Sequence, residues 1–356
     1  MKIGIVTQAL ANNYGGLLQN YALQQVLKKL GHDVKTIDYV YRLSYTRYLL
    51  SVCKQTLLAI VKLKRPELKS YVAMPKHRIP IMADFVNRHI EKTQIVHSYR
   101  TDIISKEQFN AIITGSDQVW RPKYNEYIED MYLKFVPDEI CKVAYAASFG
   151  VDSWEYNPKQ TKSCAKLAQR FNAISVREIS GVQLCKENLG VDAECVLDPT
   201  ILAGAQAYKP LIRKNQDGDY LFAYILDITD DKRASVETIA KSRGLKTIIR
   251  SAGRSADLSP EEWLSMIAHA SMVITDSFHG KVFSILFHRE FLSIVNKSRG
   301  GTRFASLLVP LGLESRMGDM AQLRFTQQCV IDWEQVDNNL AIQREKSMNY
   351  LTKALG

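Results

Sequence analysis

The chain has 356 residues, 46% of them apolar and 24% charged, with a formal net charge of +10. This length exceeds what one hydrophobic core sustains, which points to two domains, and the composition excludes an intrinsically disordered chain. No apolar run approaches the roughly 18 residues of a membrane-spanning helix, and the six cysteines are scattered, with no CxxC pair and no histidine at metal-ligand spacing.

In chain order, Lys2–Thr7 reads as a strand, followed directly by a turn with no signal-peptide h-region, so a cytoplasmic chain with reduced thiols is expected. Leu17–Leu30 reads as a helix stopped by Gly31, and Val34–Tyr39 as the next strand, giving the βαβ unit of a parallel sheet. Residues 41–100 form a basic insertion with twelve Lys and Arg against Glu67, Asp84 and Glu91, a net +9 that is nearly the whole excess. Short buried strands follow at Ala111–Thr114, Val143–Ala146 and Ala173–Val176, and Cys195–Ile201, with Pro199 as its stop, reads as the last strand of this half. Past a polar linker at 208–220, a second series alternates strand and helix: Tyr220–Ile225, Asp230–Arg243, Lys246–Ile249, Pro260–Ala270, Met272–Thr275, Lys281–Phe287 and Phe291–Val295. Val336–Leu355 reads as a closing helix. The expected fold class is α/β, with two Rossmann-like domains facing a cleft as in the GT-B glycosyltransferases. The boundaries fall at 1–205, 206–325 and, for the closing helix, 326–356.

Three polar loops each follow an apolar strand: Asn12-Asn13-Tyr14-Gly15-Gly16-Leu17-Leu18-Gln19, Gly115-Ser116-Asp117-Gln118-Val119-Trp120 and Asp276-Ser277-Phe278-His279-Gly280. Ligands bind at that edge of a parallel sheet, because glycine lets a backbone come close and the next helix offers unpaired N–H groups to anions. Turn and N-cap chemistry alone also places small polar residues there. His279 stands out, since an imidazole at a strand-to-helix edge has a perturbed pKa and a route to the cleft. Arg177, ending the strand at Val176, can fork onto a carboxylate or phosphate, or pair with Glu178. Arg299 and Arg303 lie in a glycine-containing basic loop suited to an anion.

Residues 45–65 combine Leu49, Leu50, Leu57, Leu58 and Ile60 with Arg47, Lys54, Lys62, Lys64 and Arg65. That pattern suits peripheral contact with an anionic membrane or, equally, a solvated helix covering the first domain. Nucleic acid is not expected as a partner, since the nearby tyrosines lack an RRM or helix-turn-helix context. No HExxH, Walker or GxSxG sequence is present.

In sequence order, NYGGLLQNYALQ (Asn13 to Gln24), TGSDQVW (Thr114 to Trp120), AYAASFG (Ala144 to Gly150), SVREISG (Ser175 to Gly181), LDPT (Leu197 to Thr200), TDSFHG (Thr275 to Gly280) and RFASLLVPLGL (Arg303 to Leu313) carry a resemblance. Together they make the chain similar to the polysaccharide pyruvyl transferases over nearly its whole length. The resemblance implies a GT-B-like fold with the acceptor on the first domain and the donor on the second. The implied reaction moves a pyruvyl group from phosphoenolpyruvate onto two hydroxyls of a sugar, forming a cyclic ketal in cell-surface polysaccharide biosynthesis. Phosphoenolpyruvate is then a co-substrate, no separate cofactor or metal is implied, and the acceptor is a sugar or lipid-linked oligosaccharide at the inner membrane face.

On this resemblance His279 is the general acid or base and Asp117 orients or deprotonates an acceptor hydroxyl. Arg177, Ser277, Gly280, Lys281, Arg299 and Arg303 hold the donor. Asn13, Tyr14, Gly15, Gly16, Gln19, Ser116, Gln118 and Trp120 hold the acceptor. Some members place Arg-Leu-His where this chain has Ser277-Phe278-His279, so Arg299, Arg303 or Lys281 replaces that arginine or the donor is bound differently. Two other functions fit the same scaffold: a nucleotide-sugar-dependent glycosyltransferase, and a non-catalytic protein whose basic segment docks on an acidic partner.

Overall fold

The computed structural model describes residues 1–40, 45–61, 78–213, 219–251, 256–295, 306–319 and 330–356. Short apolar runs form its strands. β1 (Lys2–Val6), β2 (Asp33–Thr36), β3 (Ala111–Thr114), β4 (Cys141–Ala147), β5 (Ala173–Val176) and β6 (Glu194–Cys195) make one sheet in the order β2-β1-β3-β4-β5-β6. β7 (Tyr220–Tyr224), β8 (Lys246–Arg250), β9 (Met272–Thr275), β10 (Glu290–Ile294) and β11 (Met317–Gly318) make a second, ordered β11-β10-β9-β7-β8. All their pairings are parallel. Strand order reverses between β1 and β3 in the first sheet and between β7 and β9 in the second. At such points the chain leaves in opposite directions and a crevice opens at the carboxyl ends.

The first half carries α1 (Tyr14–Lys29), α2 (Tyr45–Val61), α3 (Pro80–His89), α4 (Asp102–Glu107), α5 (Ile128–Met131), α6 (Pro158–Ala168), α7 (Ile179–Leu184) and α8 (Pro199–Ala203). The second carries α9 (Asp230–Ser242), α10 (Pro260–Ala268) and α11 (Phe278–Leu286), and the helix Trp333–Leu355 ends the chain. Local chemistry explains several starts. Ser259 and Glu262 close a capping box over α10, as Asn157 and Gln160 do over α6, each with proline in the first turn.

β3, β5 and β9 occupy the residues that the sequence marks as strands. Three sequence expectations are corrected. α1 begins at Tyr14 rather than Leu17, so Gly15 and Gly16 belong to its first turn. α11 begins at Phe278 rather than Lys281, because the Ser277 side chain caps it by accepting from Gly280 N. The segment Cys195–Ile201 is not one strand: Asp198 caps and Pro199 opens α8, which ends the extended backbone after Cys195.

The last helix crosses back from the second sheet to the first. Leu351 and Leu355 join Ile3, Ile5 and Val143 in one core layer, and Tyr350 Oη donates to Ala144 O at 3.0 Å. The opposite face of that sheet packs Val6, Ile112 and Val176 against Trp120 and Tyr132. A third cluster spans both halves, joining Leu17 and Leu18 of α1 to Trp263, Val282 and Phe283. Tyr14 stacks on Trp263 with ring centroids 5.1 Å apart and planes 8° apart, and its hydroxyl donates to Leu258 O at 2.8 Å. Shared apolar burial of this kind holds the two sets of strand ends in a fixed relation. At its edge Glu261 of α10, 3% exposed, lies 2.7 Å from Arg88 and 3.2 Å from His89 of α3.

Candidate active site

Four strand ends bring ionisable side chains to one place. Asp117 follows β3, Arg177 follows β5, Asp198 caps α8 beyond β6, and His279 lies in the first turn of α11 beyond β9. Arg177 Nη1 donates to Asp198 Oδ2 at 2.6 Å, and its Nη2 lies 3.6 Å from Asp117 Oδ1. His279 Nε2 lies 3.8 Å from the same Asp198 Oδ2. Ser116 Oγ donates to that oxygen at 3.1 Å, while Thr200 N and Oγ1 donate to Asp198 Oδ1 at 2.9 and 2.6 Å. Asp198 is thus the hub on which a guanidinium, an imidazole and two hydroxyls converge.

Burial is the largest single influence on Asp198 and opposes its ionisation. Arg177, His279 and the Thr200 hydrogen bonds outweigh it and hold the carboxyl below the usual carboxylate range. Arg177 shows the mirror balance: burial favours the neutral form, but Asp198, Glu178 and Asp117 keep its pKa above the ordinary arginine value. Its guanidinium carbon stands 4.4 Å from the centroid of the Phe278 ring, an arrangement that favours the cation. Among the described residues, neither Nε nor Nη2 of Arg177 donates a hydrogen bond, although the side chain is buried. A cavity of about 530 Å³ is lined by Arg177, Asp198 and Phe278 together with Leu307, Val309 and Pro310. His279 and Asp117, each 7% exposed, do not line this cavity but lie 3.8 Å from Asp198 and 3.6 Å from Arg177, which do.

The loops are built to hold this geometry. Asp117 adopts φ of +69°, a left-handed conformation that costs a non-glycine residue on the order of 1 kcal/mol or more. Ser148 N donates to its carbonyl at 3.0 Å and keeps it there. Gln19, fully buried, ties α1 to both neighbouring loops by donating to Thr7 Oγ1 at 2.9 Å and accepting from Ser116 N at 3.1 Å. Gly15 sits against the imidazole, so close that a Cβ there would come within 2.0 Å of His279 Nδ1. Gly280 likewise permits close packing of α11 on β9, since a Cβ would lie 2.5 Å from Thr275 Oγ1.

The structure brings Asp117, Ser116, Arg177, Gly15, Ser277 and His279 together. Several other expected ligand positions are corrected. Trp120 is fully buried, stacked on Tyr132 at 4.7 Å with its Nε1 donating to Met131 O, so it is core rather than an acceptor platform. Tyr14 is likewise buried in the contact between the two halves. Gln19 and Ser116 are 0% exposed and brace the loops, and Lys281 is 0% exposed within α11, which leaves none of the three a surface for a ligand. Asn13 is exposed at the α1 N-cap without a capping hydrogen bond, Gly16 follows one turn in, and Gln118 accepts from Arg121 Nη1 at 3.2 Å. Arg299 and Arg303 lie outside the described residues. Sequence reasoning missed Asp198, although the run Asp-Pro-Thr is itself a helix-start signal.

Two Rossmann-like sheets whose carboxyl ends converge on a buried ionisable cluster define a protein of the GT-B-like class. The fold is similar to that of a UDP-N-acetylglucosamine 2-epimerase from Rickettsia bellii, at 9% identity over 99% of this chain and 96% of that one, with a TM-score of 0.50. A UDP-GlcNAc 2-epimerase from Methanocaldococcus jannaschii, solved with UDP-GlcNAc and UDP, is similar at 14% identity over 100% and 99% of the two chains, with a TM-score of 0.48. No curated protein matches the chain. The profile of the family described as Polysaccharide pyruvyl transferase matches residues 13–298, and the chain belongs to that family.

Proposed function

We propose that this transferase moves a pyruvyl group from phosphoenolpyruvate onto two hydroxyls of one sugar, releasing phosphate and leaving a cyclic ketal. The observation that carries this reading is Arg177: a buried guanidinium with Nε and Nη2 not engaged in hydrogen bonds, beside an imidazole. Those two nitrogens form one edge of the guanidinium fork, the edge that grips a carboxylate in a bidentate pair; both are enclosed here, with Asp117 Oδ1 3.6 Å from Nη2, so the donor must part the contacts that cover them. Phosphoenolpyruvate supplies that carboxylate.

With the donor so held, a sugar hydroxyl adds to the enol carbon that bears the phosphate ester while the methylene carbon takes up a proton and becomes methyl. The second hydroxyl then displaces phosphate from the same carbon. One hydroxyl proton is thereby replaced by the one delivered to carbon, and the other leaves with phosphate. His279 exchanges the proton at the methylene carbon, and Asp117 receives the proton of the attacking hydroxyl. Asp198 keeps the guanidinium and the imidazole in position.

Incubation with phosphoenolpyruvate and a panel of sugar acceptors tests the reading. The expected result is phosphate release matched by a sugar adduct whose mass gain equals pyruvate minus water. Stabilisation by UDP-sugars with no phosphate release from any acceptor mixture would overturn it in favour of the glycosyltransferase reading.

The same reading places the protein against the inner face of a membrane. Among the described residues no helix is long and apolar enough to cross one. α2 instead exposes Leu49, Leu50 and Leu57, at 43, 69 and 65%, together with Lys54. Their spacing puts the leucines on one helix face, and the surrounding +9 segment supplies attraction to anionic headgroups. Co-sedimentation with phosphatidylserine vesicles is expected, together with its loss in Leu50→Asp/Leu57→Asp; equal binding to phosphatidylcholine vesicles would count against the charge argument.

A further inference from the structure

A cavity of about 840 Å³ opens beyond the carboxyl ends of β1 and β2. Its wall includes Gln8, Tyr39, Tyr124, Asn125, Tyr127 and Asp130, and none of the acceptor positions expected from the glycine-bearing loops contributes to it. The volume lies within the range of small-molecule sites and is far more than phosphoenolpyruvate fills. Two hydrogen bonds join this wall to the active-site loop: Thr7 Oγ1 donates to Ser116 O at 3.3 Å, and Gln8 Nε2 donates to Gln118 O at 2.7 Å. The cavity and Asp117 therefore share one loop.

The chemistry of the wall selects among ligands. Tyr124 and Tyr127 are 47 and 50% exposed, so each offers an aromatic face. Both belong to a segment fixed from behind. Arg121 pairs with Glu155 through Nε and Nη2 at 2.9 and 3.0 Å and lies 5.1 Å from the Tyr124 centroid, and Asn125 Nδ2 donates to Val119 O at 2.7 Å. One cation of the wall, the largely buried Arg78, is engaged by Asp38 and by Leu10 O. Asp130 adds a carboxyl that burial pushes up to about 6. Lys123 and His97 share the wall with Glu126 and Asp130, so its charge is mixed, and a wall of mixed charge is a poor site for a polyanion. Aromatic faces suit the C–H faces of a pyranose, whose hydrogens carry the positive partial charge that an aromatic face attracts, and carboxyl and amide groups suit its hydroxyls.

We propose that this cavity binds a neutral saccharide at least two units long, the acceptor of the transferase, with Tyr124 and Tyr127 as stacking platforms and Asp130 accepting from sugar hydroxyls. The inference rests on the transferase reading, and its test separates the two. Saturation-transfer NMR without phosphoenolpyruvate is run on lactose, cellobiose, maltose and chitobiose, with UDP as a competitor, on the full chain and on Tyr124→Ala/Tyr127→Ala. Saccharide ring protons are expected to show transfer to the wild type, about tenfold weaker binding in the double variant, and no competition by UDP. Because both tyrosines are exposed, thermal unfolding of the variant should match wild type.

Absence of transfer from all four disaccharides overturns the inference, as does displacement by UDP. If saccharides bind but phosphate is never released from phosphoenolpyruvate, the cavity assignment stands and the transferase reading falls. If phosphate is released onto a sugar and the double variant keeps the wild-type acceptor KM, the cavity assignment falls alone.

Discussion

His279→Gln is expected to lower the rate of phosphate release from phosphoenolpyruvate by about 10²–10⁴-fold, the usual contribution of a positioned acid or base. The amide is close to the imidazole in volume, so the packing between α1 and α11 survives and thermal unfolding stays cooperative. On the proposed mechanism, only proton exchange is removed. Gly15→Ala is the companion variant, because it leaves His279 chemically intact and displaces it. Gly15 lies in the first turn of α1, where alanine is at least as good a helix former, so the backbone has no objection. The added methyl would come within 2.0 Å of Nδ1, and the imidazole must move. Displacement of a reacting group by about 1 Å costs on the order of 10²-fold. Loss of turnover in both variants with near-native melting identifies the imidazole's position as the requirement. Wild-type turnover in His279→Gln would remove it from the reaction.

Why some of this was legible before the structure and some was not follows from the range of each interaction. β3, β5 and β9 are runs of four residues bounded by polar turns, and that local pattern is enough to place them. The GT-B-like arrangement follows from two alternating series of such runs. The sequence pattern starts α11 three residues late because Phe278-His279-Gly280 has turn composition, whereas the deciding interaction is Ser277 accepting from Gly280 N. Asp198 was hidden inside an apolar stretch for the same reason: Pro199 and Thr200 turn that stretch into a cap.

The aromatic residues failed differently. Tyr14 and Trp120 stand beside glycines and polar side chains, where exposed rings would stack on a ligand. Tyr14 is instead buried by Trp263 from the other half of the chain, and no local pattern reports a partner so distant in sequence. The cavity walled by Tyr124 and Tyr127 has no local sequence signature because it is assembled from loops after several strands. Individually those loops are ordinary polar connections.

Asp198→Ala is expected to destabilise the protein by about 3–5 kcal/mol, the cost of leaving a buried charge without its partner. Arg177 is 6% exposed and Asp198 1%, so solvent cannot replace the lost carboxylate. Thr200 N and Thr200 Oγ1 lose an acceptor in the same step, while Ser116 Oγ keeps Ala146 O at 2.9 Å. Urea denaturation should show the loss as a lower midpoint with an unchanged slope. Acidity should weaken the wild type by the same route. Because the folded state holds Asp198 below the ordinary carboxylate range, its ionised form favours folding above the unfolded carboxyl value of about 4 and that contribution disappears as pH falls through the lower folded value. Asp198→Asn keeps an acceptor for Thr200 N and should lack this acid-dependent component. Combining it with Arg177→Met removes both charges of the pair, and part of the lost stability should return, since an apolar substitute for a buried pair is often neutral, while Asp117 and Glu178 lose the cation beside them. Turnover should not return with it, because on the proposed reading the donor has lost its guanidinium fork. Recovery of stability without recovery of phosphate release would separate the pair's role in the fold from its role in binding; recovery of both would show that Arg177 does not touch the donor.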